Sequence, residues 1–154
     1  MWHLFHGRFT SFEERKIRVP WDCWVFRPEN GGIVIERPAP QYSLLHSPGG
    51  QIVISRSPAG IGLDLSNGYN RIVNHLISSQ ESIGYKFQSV HRTSLGDKAG
   101  YCWEFLRSDS RVLSIFCWFD KDTLGVSFSG SPAYREKFYF VVAELTGHWP
   151  HDGN

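Results

Sequence analysis

Residues 101–145 read YCWEFLRSDSRVLSIFCWFDKDTLGVSFSGSPAYREKFYFVVAEL, and their reading decides the fold. Three aromatic-rich runs, Tyr101–Leu106, Val112–Phe119 and Leu124–Ser129, are separated by Ser108-Asp109-Ser110 and Asp120-Lys121-Asp122. Asp and Ser belong in turns because their side chains hydrogen-bond the local backbone. Gly130-Ser131-Pro132 then leads into apolar residues at helical spacing: Tyr134, Phe138, Val141, Val142 and Leu145. Pro is preorganised for a first helical position, Ser131 is suited to the N-cap, and Gly147 marks the end. The stretch is a three-stranded meander followed by a closing helix.

Register decides which meander side chains share a face. A three-residue loop, Ser108-Asp109-Ser110, pairs Arg107 with Arg111. Trp103 and Phe105 then share a face with Leu113, Ile115, Cys117 and Phe119. The opposite face carries Glu104, Leu106, Ser114, Phe116 and Trp118. A two-residue Asp109-Ser110 loop instead places Glu104 beside Leu113 and Ile115. The first register keeps the carboxylate off the more apolar face and is preferred, because an unpaired buried charge is costly. It points Cys102 and Cys117 to opposite faces, where they cannot bridge. In the next turn, a Lys121-Asp122 loop puts Leu124, Val126 and Phe128 on the core face. Gly125, Ser127 and Ser129 then lie beside Phe116 and Trp118. Small residues next to large rings make a shallow trough. It is filled either by a helix of the chain or by an apolar segment of a partner.

Upstream, Arg8–Phe12 and Lys16–Val19 flank Glu13-Glu14-Arg15 as a small hairpin. Trp24–Phe26, Ile33–Ile35, Gln51–Ser55 and Tyr85–Arg92 read as strands. Pro28–Gly32, Pro38–Gly50 and Pro58–Gly62 read as turns and loops. Between them Leu65, Tyr69, Ile72, Val73, Leu76 and Ile77 follow the 3.6-residue period, giving an amphipathic helix over Leu65–Ser79. Asp64 or Ser66 caps it, and Gly68 weakens its start by about 1 kcal/mol relative to Ala.

The 154 residues fit one domain, with a core over about 8–146 and flexible tails at 1–7 and 147–154. A net charge of +1 gives no electrostatic case for nucleic acid or an anionic membrane. No run of about 18 apolar residues is present, so no membrane insertion is expected. Met1–Arg8 lacks the basic and apolar regions of a signal peptide. Cys23, Cys102 and Cys117 are an odd set without CxxC spacing, read as reduced thiols of a cytoplasmic protein. Aromatics reach 15%, which demands either a bulky core or a core plus an aromatic binding face.

The order of elements from Phe9 to Leu145 resembles the Mog/PsbP-like fold and its bacterial DcrB-like branch. The resemblance rests on Val19-Pro20-Trp21-Asp22-Cys23-Trp24, on Ile33-Val34-Ile35 before a proline-rich loop, and on Gln51–Arg56. The mid-chain helix, Leu95-Gly96-Asp97-Lys98-Ala99-Gly100 and Ser129-Gly130-Ser131-Pro132 complete it. The resemblance implies an antiparallel sheet flanked by helices, with no shared catalytic centre. Its members act by binding GTPase partners, photosystem components or hydrophobic segments of secreted effectors. The chain departs from the exported members in showing no signal or lipobox, and no functional residue carries over.

Signs of catalysis are sparse. His3 and His6, and His148, His151 and Asp152, sit in the expected tails and lack further ligands at fixed spacing. His75 lies off the helix stripe, and His91 ends a strand; neither stands near a nucleophile motif. Gly60-Ile61-Gly62 has neither a dinucleotide fingerprint nor a P-loop Lys. Asp120-Lys121-Asp122 lacks the spaced oxygens of a calcium loop. Arg107 and Arg111, opposed in the preferred register, either splay into water or grip Asp109 or a partner's carboxylate.

The expected fold is α+β: an antiparallel sheet of about six to eight strands flanked by two main helices. The expected function is a non-catalytic protein-binding module, a chaperone or adaptor without cofactor or metal. Its candidate partner-binding residues are Leu106, Phe116, Trp118, Trp21, Trp24, Arg107 and Arg111. Two alternatives stand beside it: a small enzyme gathering His91 or His75 with carboxylates, and a homodimer formed through the same aromatic face.

Overall fold

The structure, a computed structural model, describes residues 8–19, 24–28, 31–37, 49–57 and 62–152. Strands β1 (Arg8–Phe12) and β2 (Arg15–Val19) form the expected hairpin. The remaining strands are β3 (Trp24–Phe26), β4 (Ile33–Arg37), β5 (Gly50–Arg56), β6 (Tyr85–Leu95), β7 (Lys98–Arg107), β8 (Leu113–Phe119), β9 (Leu124–Gly130) and β10 (His151–Asp152). They make one antiparallel sheet in the order β10-β6-β7-β8-β9-β5-β4-β3. Helices α1 (Leu65–Glu81) and α2 (Arg135–Thr146) flank it, so the fold is α+β as the sequence predicts. Trp21 lies outside the described residues, and of Trp24 only the backbone is described.

The two helices cover opposite faces. On the first face Cys102, Leu113, Ile115, Cys117, Phe119, Val126, Phe128, Ile54 and Ile33 meet Ile17 and Val19 of the hairpin and Phe138, Val141, Val142 and Leu145 of α2. On the second face Trp103 and Phe105 are fully buried against Leu65 and Leu76 of α1, with Tyr69, Ile72, Val73 and Ile77 half-buried around them. Each predicted stripe residue of α1 thus packs where its period places it. Asp64 caps α1 by accepting from Asn67 N–H, and Asp120 Oδ1 accepts from Leu65 N–H at 2.8 Å and Ser66 N–H at 3.1 Å. Gly68 departs from helical backbone angles and kinks the first turns, consistent with its poor helix propensity.

Ser131 caps the entry to the second helix by accepting from Ala133 N–H at 3.3 Å. Pro132–Tyr134 forms a 3-10 turn before α2, and Gly147, at φ 93°, ends α2 in the left-handed conformation that glycine adopts without cost. The tail expected at 147–154 is corrected over its first part. The chain turns back to lay β10 against His91 and Arg92, and Ser94 Oγ lies 2.8 Å from His148 Nε2.

The predicted register of the first turn is overturned. Glu104 stands opposite Ile115, Phe105 opposite Ser114 and Leu106 opposite Leu113. This is one residue from the pairing that matched Arg107 with Arg111, and a one-residue slip exchanges faces. Trp103 and Phe105 therefore lie with Phe116 and Trp118 on the face under α1, while Glu104 and Leu106 face the α2 side. Cys102 and Cys117 become direct partners and are joined by a disulfide. Their reading as reduced thiols falls, and with it the argument for a cytoplasmic location. The Lys121-Asp122 turn keeps its predicted register, with Trp118 opposite Gly125 and Phe116 opposite Ser127.

Candidate functional site

The expectation about the trough depended on what covers Phe116 and Trp118. One cross-strand row answers it: Val90, Trp103, Phe116, Ser127, Val53, Val34 and Phe26, on seven successive strands from β6 to β3. From Trp103 onward its exposure rises. Trp103 is 0% exposed under α1, Phe116, Ser127, Val53 and Val34 are half-buried, and Phe26 is 44% exposed. α1 reaches Phe116 and Trp118, which pack against its buried cluster, whereas Val53 and Val34 belong to neither buried cluster. At a strand spacing of about 4.8 Å, the stretch from Phe116 to Phe26 spans roughly 19 Å. The helix thus fills the trough at one end, and the row continues beyond it.

The flanks of this row differ. On one side Trp118, Gly125 and Ser55 lie in register. A methyl group at Gly125 would lie 3.4 Å from the Trp118 ring, so the floor beside that indole is just deep enough for a small side chain. On the other side Ser129, Gln51 and Glu36 are aligned, and Gln51 Nε2 donates to Glu36 Oε2 at 3.2 Å. An apolar lane bordered by hydroxyl, amide and carboxylate groups has the anatomy of an interface with a polar rim.

The remaining candidates separate. Leu106 packs against the α2-side core and takes no part in the row. Arg107 donates to Asp109 Oδ1 at 2.9 Å and Oδ2 at 2.6 Å, and Arg111 N–H donates to Asp109 Oδ1 at 3.0 Å. Of the fates weighed for the two arginines, the grip on Asp109 is the one Arg107 adopts. The Arg107 guanidinium, with Arg111 N–H, holds the Asp109 carboxyl down at about 2. The arginines organise the turn and do not line the row.

A second constellation sets His91 against a carboxylate, the pairing named in the enzyme alternative, and adds Arg135 and Tyr139, which the sequence reading missed. Glu104, buried at 4% exposure, receives Arg135 Nε at 3.0 and 2.9 Å and Arg135 Nη2 at 2.8 Å, and Tyr139 donates its hydroxyl to the same carboxylate. His91 Nε2 lies 3.0 Å from Glu104 Oε2, 3.1 Å from Arg135 Nη2 and 3.2 Å from Ser89 Oγ. Burial, and after it the Glu104 charge, push the Tyr139 hydroxyl far above the usual tyrosine range. The hydrogen bonds to Glu104 raise Arg135 in turn. Chemically the group ties α2 to β6 and β7, since both carboxylate oxygens are already engaged. For Arg135 and Tyr139 the forward signal was their spacing of four residues, on one face of α2.

Cavities among the described residues open elsewhere. One of about 370 Å³ lies at the β6–β7 turn, one of about 470 Å³ at the start of α1, and one of about 430 Å³ beside Phe12, Arg27 and Arg56. None is lined by His91, Glu104, Arg135 or Tyr139. Among the described residues no group of three or more His, Cys, Asp or Glu is placed to hold a metal ion. No helix among the described residues is long and apolar enough to cross a membrane.

No family model matches the chain, and no curated protein matches it. Among solved structures the chain is similar to PA94, a protein of unknown function from Pseudomonas aeruginosa. The identity is 16%, the TM-score is 0.43, and the match covers 83% of this chain and 85% of that one.

Proposed function

We propose that this chain is a protein-binding module of the Mog/PsbP-like kind, acting as a chaperone or adaptor. An extended apolar segment of a partner protein lies across the row from Phe116 to Phe26. The observation that carries this reading is the row itself: apolar positions continue past the end of α1 to Val53 and Val34, which have no share in either buried cluster of the described residues. Ile33-Val34-Ile35 and Ile52-Val53-Ile54 are apolar at every position, a composition expected of strands with both faces covered. The first face is covered by the hairpin and α2, so the partner supplies the second cover. Gly125 and Ser127 leave room beside Trp118 and Phe116 for the partner's side chains.

The test is affinity capture with the wild-type chain and with Val53→Asp, with captured proteins identified by mass spectrometry. A peptide from the captured partner is then titrated calorimetrically. A partner retained by the wild type and lost by Val53→Asp supports the reading. Equal retention by both removes the row as the binding face. A concentration-dependent dimer that Val53→Asp dissociates would assign the row to a second copy of the chain.

A further inference from the structure

The cavity at the β6–β7 turn lies at the opposite edge of the sheet from Phe26. Arg92, Thr93, Ser94, Asp97, Tyr101, His148 and His151 are among its lining residues. Its volume of about 370 Å³ falls in the range of small-molecule sites. One of its groups stands out. The Arg92 side chain makes no ion pair and no hydrogen bond among the described residues, whereas Arg18, Arg27, Arg56, Arg107 and Arg135 each engage a carboxylate, hydroxyl or carbonyl. Thr93, next to Arg92 on β6, turns its side chain to the other face of the sheet, where its hydroxyl is buried.

The walls are held rigidly. Arg92 stands opposite His151 on one side and Tyr101 on the other, so β10 and β7 bracket it. The Ser94–His148 contact of 2.8 Å ties the segment after α2 to the same strand. Gly96 takes φ 63° in the two-residue turn that closes the cavity, and Asp97 beside it is the one carboxylate among the described residues of the lining.

We propose that this cavity binds a small molecule through an oxyanion, a phosphate or carboxylate group, that docks on the Arg92 guanidinium. The planar fork of arginine matches two oxygens of such a group. The His148 and His151 rings are further polar groups of the lining, and Ala99, Gly100 and the Tyr101 ring form its less polar wall. Asp97 opposes the anion and sets an upper limit on its charge.

Inorganic phosphate and acetate are the probes, titrated separately into 15N-labelled full-length protein and followed by NMR. Saturable shifts confined to residues 92–101 and 148–151 are expected with at least one probe. Arg92→Gln weakens binding about tenfold or more, the scale of a lost charge-assisted pair. Asp97→Asn tightens it, and Arg71→Gln, at the start of α1, leaves it unchanged. A difference in affinity between phosphate and acetate distinguishes the two oxyanions. Absence of a saturable shift with both probes in the wild type overturns the proposal, as does an Arg92→Gln variant that binds as the wild type does. Arg92 is exposed, and the folded state of each variant is read from the same spectra.

Discussion

Cys102 and Cys117 stand directly opposite each other on β7 and β8, their Cα atoms 4.0 Å apart, and a disulfide joins them inside the core on the α2 side of the sheet. Both are fully buried. The bridge is also a register marker, because a slip of one residue would turn one sulfur to each face.

Alkylation of the unreduced, denatured protein should therefore modify Cys23 alone among the three cysteines, and reduction should release two more thiols by mass. The double variant Cys102→Ala, Cys117→Ala should lose about 3 kcal/mol of stability in urea titrations. That is the loop-closure value for a bridge spanning about 15 residues. Modification of all three cysteines without reductant would reject the bridge and the register it reports.

The Glu104 cluster should be costly to break. Glu104→Gln leaves the Arg135 guanidinium without its carboxylate and should cost about 2 kcal/mol, less than for a fully buried pair because Arg135 is partly exposed. Tyr139→Phe removes one charge-assisted hydrogen bond and should cost about 1.5 kcal/mol. Because both residues act on one carboxylate, the double variant should lose less than the two single losses combined. Strict additivity in urea melts would show that they act independently.

Alkaline stability should depend on Tyr139. Its hydroxyl is raised above its unfolded value, so its contribution is fully present below about pH 10 and is lost as pH rises above that, where the unfolded tyrosine ionises. Stability should fall above about pH 10 in the wild type and fall less steeply in Tyr139→Phe. Parallel curves above that pH would remove Tyr139 as the source.

Acid stability should depend on Asp122. Burial pushes its carboxyl up, but hydrogen bonds from Lys98, Leu124 N–H and Arg56 outweigh this and hold it at about 2. A depressed carboxyl contributes stability that is present above its unfolded value, about 3.9, and is lost as pH falls toward 2. Asp122→Asn should be less stable at neutral pH and should show a shallower decline between about pH 4 and 2. An unchanged acid limb would contradict this.

The row on the second face should separate stability from binding. Trp103→Ala should cost about 3–5 kcal/mol, as for a fully buried aromatic. Val53→Asp, farther along the same row, should change stability by about 1 kcal/mol or less while abolishing partner capture. Loss of folding in Val53→Asp would mean that the outer half of the row is core.

Much of the fold was legible because it is written in local periods. The hairpin of β1 and β2, the amphipathic α1 with its Asp64 cap and Gly68 break, the Lys121-Asp122 turn and the Ser131-Pro132 entry to α2 follow from spacing and turn chemistry. The candidate site was half legible. Phe116 and Trp118 stood out as rings beside small residues, but Val34, Val53 and Phe26 needed strand order to be recognised as their continuation.

The amino-acid sequence by itself determined where most strands and both helices form, since those preferences act over a few neighbouring residues, but not the short edge strand β10 or the length of the β7–β8 turn. The register of β7 against β8 was decided only in three dimensions. Local reasoning turned Glu104 away from the apolar side to avoid a buried charge. The tertiary structure turns it inward, because Arg135 and Tyr139 from α2 and His91 from β6 arrive to meet it. Partners 31, 35 and 13 residues away along the chain reverse the sign of a local penalty, and no pattern within one hairpin contains them. The same inversion set the two cysteines face to face and left Phe116 and Trp118 at the edge of α1.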